Sequence, residues 1–215
     1  ERLQKLIPGW KDYFRLVSSE PIRNMGTLGG NLVNASPIGD LSIMFLALDA
    51  RLRIKSLQND AERELPLRDF FTDYRQTDLK PGEYIESLGI SCRMPAPGFH
   101  FEKLSKRTHL DIASVNSAMV LHMESDTVVR CDIAMGGLAA IPLYLNKTSA
   151  FFSGKPISKT LIAEGMEIMQ QEIRPISDIR GSTHYKRLLA RQQLLAHFLY
   201  LLPSRFTLDE LIAKA

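Results

Sequence analysis

The chain has 215 residues, of which 45% are apolar and 24% charged, an ordinary globular composition that excludes disordered, collagenous and low-complexity classes. Lys plus Arg number 27 against 24 for Asp plus Glu, and a formal charge of +3 over this length speaks against a nucleic-acid binder, which concentrates basic charge on one face. Two cysteines, Cys92 and Cys131, are too few for an all-cysteine iron–sulfur cluster or a disulfide scaffold, and they point to a reduced, cytoplasmic setting.

The first stretch opens on Leu3, Leu6, Ile7, Trp10, Tyr13, Phe14 and Val17, a helical stripe that Pro8 divides into a short turn and a helix. A run rich in Gly, Asn and Pro follows from Pro21 to Asp40. Leu41 to Ala50 is apolar and helical, with Asp40 placed as its N-cap. Arg51 to Ser56 alternates like a strand, Leu65 to Tyr74 holds a short helix or turn, and Tyr84 to Ile90 is a second strand. Pro95-Ala96-Pro97-Gly98 ends this half. Beyond it, Phe99, Phe101 and Leu104 are spaced as a strand, and Val115 to Met123 and Thr127 to Met135 form two longer ones joined at Glu124-Ser125-Asp126. Two helical stripes close the chain, one from Leu161 to Ile173 capped by Ser158, the other from Tyr185 to Leu202 capped by Ser182. Strands followed by helices give an α+β class. The expected division is 1–97, 98–203 and a tail 204–215. The longest apolar run, Leu194 to Leu202, contains His197 and is too short to span a bilayer. No signal peptide is read at the start, and a chain that begins at Glu1 without Met is read as trimmed or as a piece of something longer.

The segment Thr27-Leu28-Gly29-Gly30-Asn31 carries the chemistry. Adjacent glycines let backbone approach a ligand or take positive φ, and a helix starting here offers free N–H groups to an anion. The spacing is neither a Walker loop nor Gly-x-Gly-x-x-Gly. A phosphate cradle and a tight turn between helices both fit it. Asp40 likewise serves either as a hydrogen-bond acceptor toward a ligand or as a helix cap.

Ile22-Arg-Asn-Met-Gly-Thr-Leu-Gly-Gly-Asn31 followed by Ala35-Ser-Pro-Ile-Gly-Asp40 resembles the flavin-binding domain of the xanthine dehydrogenase family, the molybdenum hydroxylases. Three further matches follow in order: Lys103-x-x-x-Arg107-x-x-x-Asp111-Ile112-Ala113, then Gly136-Gly137, then Arg180-Gly-Ser-x-x-Tyr185-x-Arg187. They extend from about residue 8 to 203. The resemblance implies the second subdomain of a PCMH-type FAD-binding fold, a mixed or antiparallel sheet with helices, followed by a small antiparallel sheet packed with a helical bundle. It implies FAD contacts at Thr27, Gly29, Gly30, Asn31, Asp40, Ile85 and Lys103, and neither a catalytic side chain nor a metal ligand. Taken alone, Ile85 also suits a strand core and Lys103 a solvated surface. A family aromatic falls near Val17, where stacking is then lost. The Lys103 to Asp111 loop is expected beside the flavin ring, with Lys106, Arg107 and Asp111 as its charges and His109 as surface decoration.

The resemblance further implies an electron-transfer component that works with iron–sulfur and molybdopterin partners and passes electrons from the clusters to FAD and on to NAD or another acceptor, with neither nucleic acid nor membrane involved. In the family a preceding half-domain carries a Gly-rich grip on the FAD pyrophosphate, and nothing like it stands before Glu1. Each charge-assisted hydrogen bond in such a grip is worth roughly 1.5–3 kcal/mol, so weak or absent FAD binding by this chain is expected. The alternative is an assembly module that binds no flavin, with Phe206, Leu208, Leu211 and Ile212 as a small docking helix. A cell-wall precursor reductase, which shares the fold, is disfavoured by the Arg180-Gly-Ser signature.

Overall fold

The computed structural model describes residues 2–91, 98–107 and 110–212. Cys92, His109 and the Pro95 to Pro97 part of the expected break lie outside the described residues.

Helices α1 (Arg2–Leu6) and α2 (Trp10–Arg15) are separate, because Gly9 turns the chain between them at φ 80°. Helices α3 (Glu20–Met25) and α4 (Leu28–Val33) are short and capped by the hydroxyls of Ser19 and Thr27. Helix α5 (Asp40–Ala47) is buried along almost its whole length. Strands β1 (Arg51–Ser56) and β2 (Glu62–Pro66) come next, then a 3-10 turn at Leu67–Asp69 and the small hairpin β3 (Phe71–Asp73) and β4 (Gln76–Thr77). Strand β5 (Glu83–Gly89) completes an antiparallel sheet in the order β2-β1-β5.

The second half builds strands β6 (Gly98–Leu104), β7 (Val115–Glu124), β8 (Thr127–Gly136) and β9 (Leu143–Tyr144), helix α6 (Asn146–Phe152), strand β10 (Lys155–Pro156) and helices α7 (Lys159–Glu172), α8 (Thr183–Leu201) and α9 (Leu208–Ile212). Its sheet runs β10-β8-β7-β6, with β9 also paired to β8 and every pair antiparallel. Ser158 and Ser182 cap α7 and α8 as their spacing predicts, accepting from Leu161 N at 3.0 Å and Tyr185 N at 3.2 Å.

This second sheet is buried on both faces, which explains the near-continuous apolar reading of β7 and β8. Side chains alternate across a strand. Phe99, Phe101, Ala118, Val120 and Ala134 therefore face α5 and join the core of the first half. Val115, Met119, Leu121, Cys131, Ile133 and Met135 face the other way, into a second core with Phe152, Leu194 and Phe198 of α6 and α8. A polar chain crosses the same seam. Tyr144 Oη donates to Asp132 Oδ1 at 2.6 Å, Arg130 pairs with Asp132 and with Asp49 Oδ2 at 3.0 Å, and Arg68 pairs with Asp49. The two halves thus share one sheet as common ground.

Two sequence expectations are corrected. Asp40 is not the N-cap of α5; Gly39 is, and Asp40 is the first helical residue, with its carboxylate turned to other partners. The tail is not a detached docking helix. Phe206 and Leu211 are buried in the second core, and Lys159 Nζ donates to Glu210 Oε1 at 2.6 Å, holding α9 to α7.

Candidate functional site

Thr27 is extended at φ −109° and ψ 152°, and its hydroxyl accepts from Gly30 N–H at 3.0 Å. A Cβ on Gly30 would lie 2.9 Å from that Oγ, so the cap itself calls for glycine there, whereas a Cβ on Gly29 would meet nothing. The Gly-Gly pair therefore opens a helix, and one of its N–H groups is already used by the cap. From α4 the chain returns through Asn31, whose Oδ1 accepts from Ser42 Oγ at 3.2 Å and ties α4 to α5.

The start of α5 delivers Asp40 to the seam with the second sheet. There Lys103 Nζ donates to Asp40 Oδ2 at 2.7 Å and to Leu16 O at 2.8 Å. Asn116 Nδ2 donates to Asp40 Oδ1 at 2.6 Å. The Lys103 and Asp40 side chains keep only 5% and 9% of their exposure, so Lys103 is not a solvated surface charge. Burial pushes the Asp40 carboxyl above its ordinary range, opposed by the neighbouring ammonium and the Asn116 amide.

A cavity of about 490 Å³ opens beside this pair. Its apolar walls include Val17, Ile22, Ile38 and Ile112, and its polar lining includes Asn31, Asp40 and Lys103. Arg75, from the β3–β4 turn, and Arg180 also line it. The loop bearing Arg180 is braced. Asp178 accepts from Arg180 N at 2.8 Å and from the buried Lys186 Nζ at 2.8 Å, and Ser114 Oγ donates to Arg180 O at 2.9 Å. Asp111 also lines the cavity. Partial burial pushes its carboxyl up, but the backbone N–H groups of Arg107 and Ile112 outweigh this and hold it below its ordinary value.

Of the residues expected from sequence, the structure brings Asn31, Asp40 and Lys103 together in one cavity, with Val17 in its wall. Thr27, Gly29 and Gly30 lie at the other end of α4 and do not line it. Ile85 sits in β5 opposite Ile54, packed on the first core, and does not line it either. Sequence reasoning missed Asn116 and Arg75. Asn116 had a signal: with Ser117 it is a polar pair set directly before the apolar run Ala118 to Leu121 of β7. Arg75 had none.

The cavity lies on the seam between a mixed helix-and-sheet half and an antiparallel sheet backed by helices. Residues 1–91 match the family of the FAD binding domain in molybdopterin dehydrogenase, and residues 100–201 match the CO dehydrogenase flavoprotein C-terminal domain. The chain belongs to the xanthine dehydrogenase, or molybdenum hydroxylase, family, with its flavin-domain match followed by its C-terminal-domain match. It is similar to the xanthine dehydrogenase of Oryza sativa subsp. japonica, with 34% identity over 71% of this chain and 11% of that protein. The carbon monoxide dehydrogenase medium chain of Afipia carboxidovorans is 27% identical over 81% of this chain and 60% of its own length. The chain thus spans about a tenth of that xanthine dehydrogenase and under two thirds of that medium chain. Among solved structures, quinoline 2-oxidoreductase from Pseudomonas putida 86 superposes with a TM-score of 0.80 at 27% identity, over 93% of this chain and 68% of that one. CO dehydrogenase from Oligotropha carboxidovorans gives 0.85 at 24% identity over 96% and 71%, a likeness of fold.

The residues present fit the ring end of FAD. A flavin ring offers apolar faces and an edge of carbonyl and ring-nitrogen acceptors. The cavity offers apolar walls, the Asn31 amide and a buried ammonium with two of its three N–H groups committed to Asp40 and Leu16. Its volume lies within the range of roughly 300–1,000 Å³ usual for ligand sites.

Proposed function

We propose that this chain is the FAD-binding electron-transfer component of a molybdenum-containing hydroxylase or dehydrogenase. The observation that carries the reading is the buried Lys103–Asp40 pair lining a cavity at the seam of the two halves. Lys103, Asp40 and Asn31 hold the flavin ring, while Ile85, outside the cavity on β5, keeps a core role. Thr27, Gly29 and Gly30 present backbone toward the rest of the cofactor. When bound, FAD supplies the redox chemistry, and this chain supplies position and charge. Lys103 contributes positive charge from a site of low exposure, which favours electron density arriving on whatever ring lies against it. The apolar walls exclude water from that contact. No side chain here acts as acid, base or nucleophile.

In this reading, electrons come from iron–sulfur clusters on a molybdopterin-bearing assembly and leave to NAD or another acceptor, in the cytoplasm. The working division is a flavin half over 1–97, a C-terminal half over 98–203 and a tail. Among the described residues, no helix is long and apolar enough to cross a membrane. The experiment is a visible absorption spectrum of the purified chain after FAD is added and excess removed, repeated with Lys103→Met. Retained flavin in the wild type with clear loss in the variant supports the reading and overturns the weak or absent binding that the resemblance alone implies. A wild-type chain that keeps no flavin refutes it for this chain and leaves the assembly role.

A further inference from the structure

Asn116 is fully buried in β7, paired in register with Gly136 of β8. Its amide donates to Asp40 Oδ1 at 2.6 Å and to Ile38 O at 3.2 Å. Its own Oδ1 has no hydrogen-bond partner among the described residues. Chemistry fixes this orientation, because the reverse would set a carbonyl oxygen against a carboxylate oxygen. An orphan buried carbonyl oxygen is a cost that a leucine of similar size would not carry. A second concession stands beside it. A Cβ on Gly136 would lie 2.1 Å from Asn116 Oδ1 and 2.8 Å from Pro37 O, so a strand otherwise rich in packed side chains has a glycine where the amide and the Pro37 backbone both need room. The amide so accommodated makes its shorter hydrogen bond to Asp40.

We infer that Asn116 is a positioning residue of the flavin site, holding the Asp40 carboxylate so that Lys103 keeps one ammonium N–H for the cavity. The inference rests on the FAD reading above. With Asn116 on Oδ1 and Lys103 on Oδ2, each carboxylate oxygen has one donor and the carboxylate cannot swing. Lys103 also donates to Leu16 O and lines the cavity, and its third ammonium N–H is used by neither the Asp40 nor the Leu16 hydrogen bond. The other charges there play different parts. Asp111 is occupied by the backbone N–H groups of Arg107 and Ile112, and Arg75 and Arg180 are contributed by loops. Without the amide, Asp40 is free to rotate and to draw the ammonium with it, and the donor presented to the ring loses its place.

Asn116→Leu removes both amide donors at nearly constant size, and Asn116→Ser, which is too short to reach, is the second variant should leucine not fold. Two quantities are read on each folded protein: FAD affinity by quenching of flavin fluorescence, and the titration of Asp40 from its ¹³Cγ resonance. The expected result is a wild-type circular dichroism spectrum, an Asp40 titration raised by about one pH unit or more, and an FAD Kd weakened by about tenfold or more. A folded variant that binds FAD as tightly as wild type, or whose Asp40 titrates unchanged, overturns the inference alone. A wild-type chain that binds no FAD overturns the FAD reading and this inference with it. Should neither variant fold, the wild type decides: the Asn116 side-chain NH₂ resonances must move as Asp40 titrates and as FAD is added, and stationary resonances overturn the inference.

Discussion

Replacing Lys103 with Met removes the ammonium and keeps an unbranched apolar stem. In the wild type the ammonium spends hydrogen bonds at 2.7 Å and 2.8 Å on Asp40 and Leu16, with both charged side chains almost wholly withdrawn from water. Removing one partner of so buried a pair strands the other charge, which costs about 3–5 kcal/mol of stability near neutral pH. The loss is also pH-dependent, with a definite sign. Burial already raises the folded Asp40 pKa above its unfolded value of 3.8, and Lys103 is the main influence opposing that rise. Without Lys103 the folded value climbs further. An acid whose folded pKa is raised takes up a proton on folding, so the variant regains stability as pH falls through that folded value toward the unfolded one, by about 1.4 kcal/mol per unit. Urea unfolding of both proteins at about pH 8 and about pH 5.5 tests this. His197 acts in the same window with the opposite sign, but it is common to both proteins and cancels in the difference. The carboxylates held low, Glu83 and Glu210 at about 2, begin to matter only below their unfolded value of 4.5. A gap under about 1 kcal/mol at the higher pH is what an exposed pair gives and would refute the reasoning, as would a gap that ignores pH.

Gly165 lies buried in α7 with Phe152 across from it, and a Cβ there would stand 2.1 Å from the ring. Gly165→Ala gains up to about 1 kcal/mol of helix propensity but overpacks a full core at about 1–3 kcal/mol, so the melting temperature falls; a rise would show that Phe152 moves aside freely. Burial, helped by repulsion from His100, holds His197 well below its ordinary value of 6.5, so the folded protein keeps it neutral while the unfolded chain protonates it. The His197 contribution to stability is therefore complete above about pH 6.5 and declines by up to about 1.4 kcal/mol per unit below it, and His197→Gln removes that component of the slope in a thermal scan against pH. Phe206→Ala costs about 3 kcal/mol, because the ring belongs to the second core; an unchanged melting temperature would instead identify a tail that detaches.

Much of the fold was legible because its signals are local. The break read at Pro8, which the structure makes by turning the chain at Gly9, the caps at Ser158 and Ser182, and the strand runs of β1, β5, β7 and β8 each depend on a few neighbouring residues. Strand β2 and helix α6 escaped notice for the same reason in reverse. Glu62–Pro66 has little apolar alternation and is a strand because β1 pairs it and Arg53 meets Glu62 across the ladder at 2.9 Å. Asn146–Phe152 has a leucine where a cap belongs, and its first turn is satisfied from a distance by Glu172, which accepts from Lys147 N and Thr148 N at 2.9 Å. Such partners lie far along the sequence, where no window of neighbouring residues contains them.

The site divides along the same line. Asp40 stood out by its place before an apolar run, and that local view assigned it a cap. Its carboxylate instead answers to residues 63 and 76 positions away, one on β6 and one on β7. Lys103 looked like a surface charge in isolation, because burial is a property of what packs over a residue, and here that is the return of the chain at Leu16. Asn116 is the converse case. A polar residue in a strand buried on both faces has no solvent-facing side to occupy, so it needs a buried partner. That inference becomes available only once β7 is known to be covered by α5 on one side and α8 on the other. A site on the seam of two halves is therefore read from sequence as separate parts, each with a sufficient local explanation, and the shared sheet that makes them one site is the feature no single segment carries.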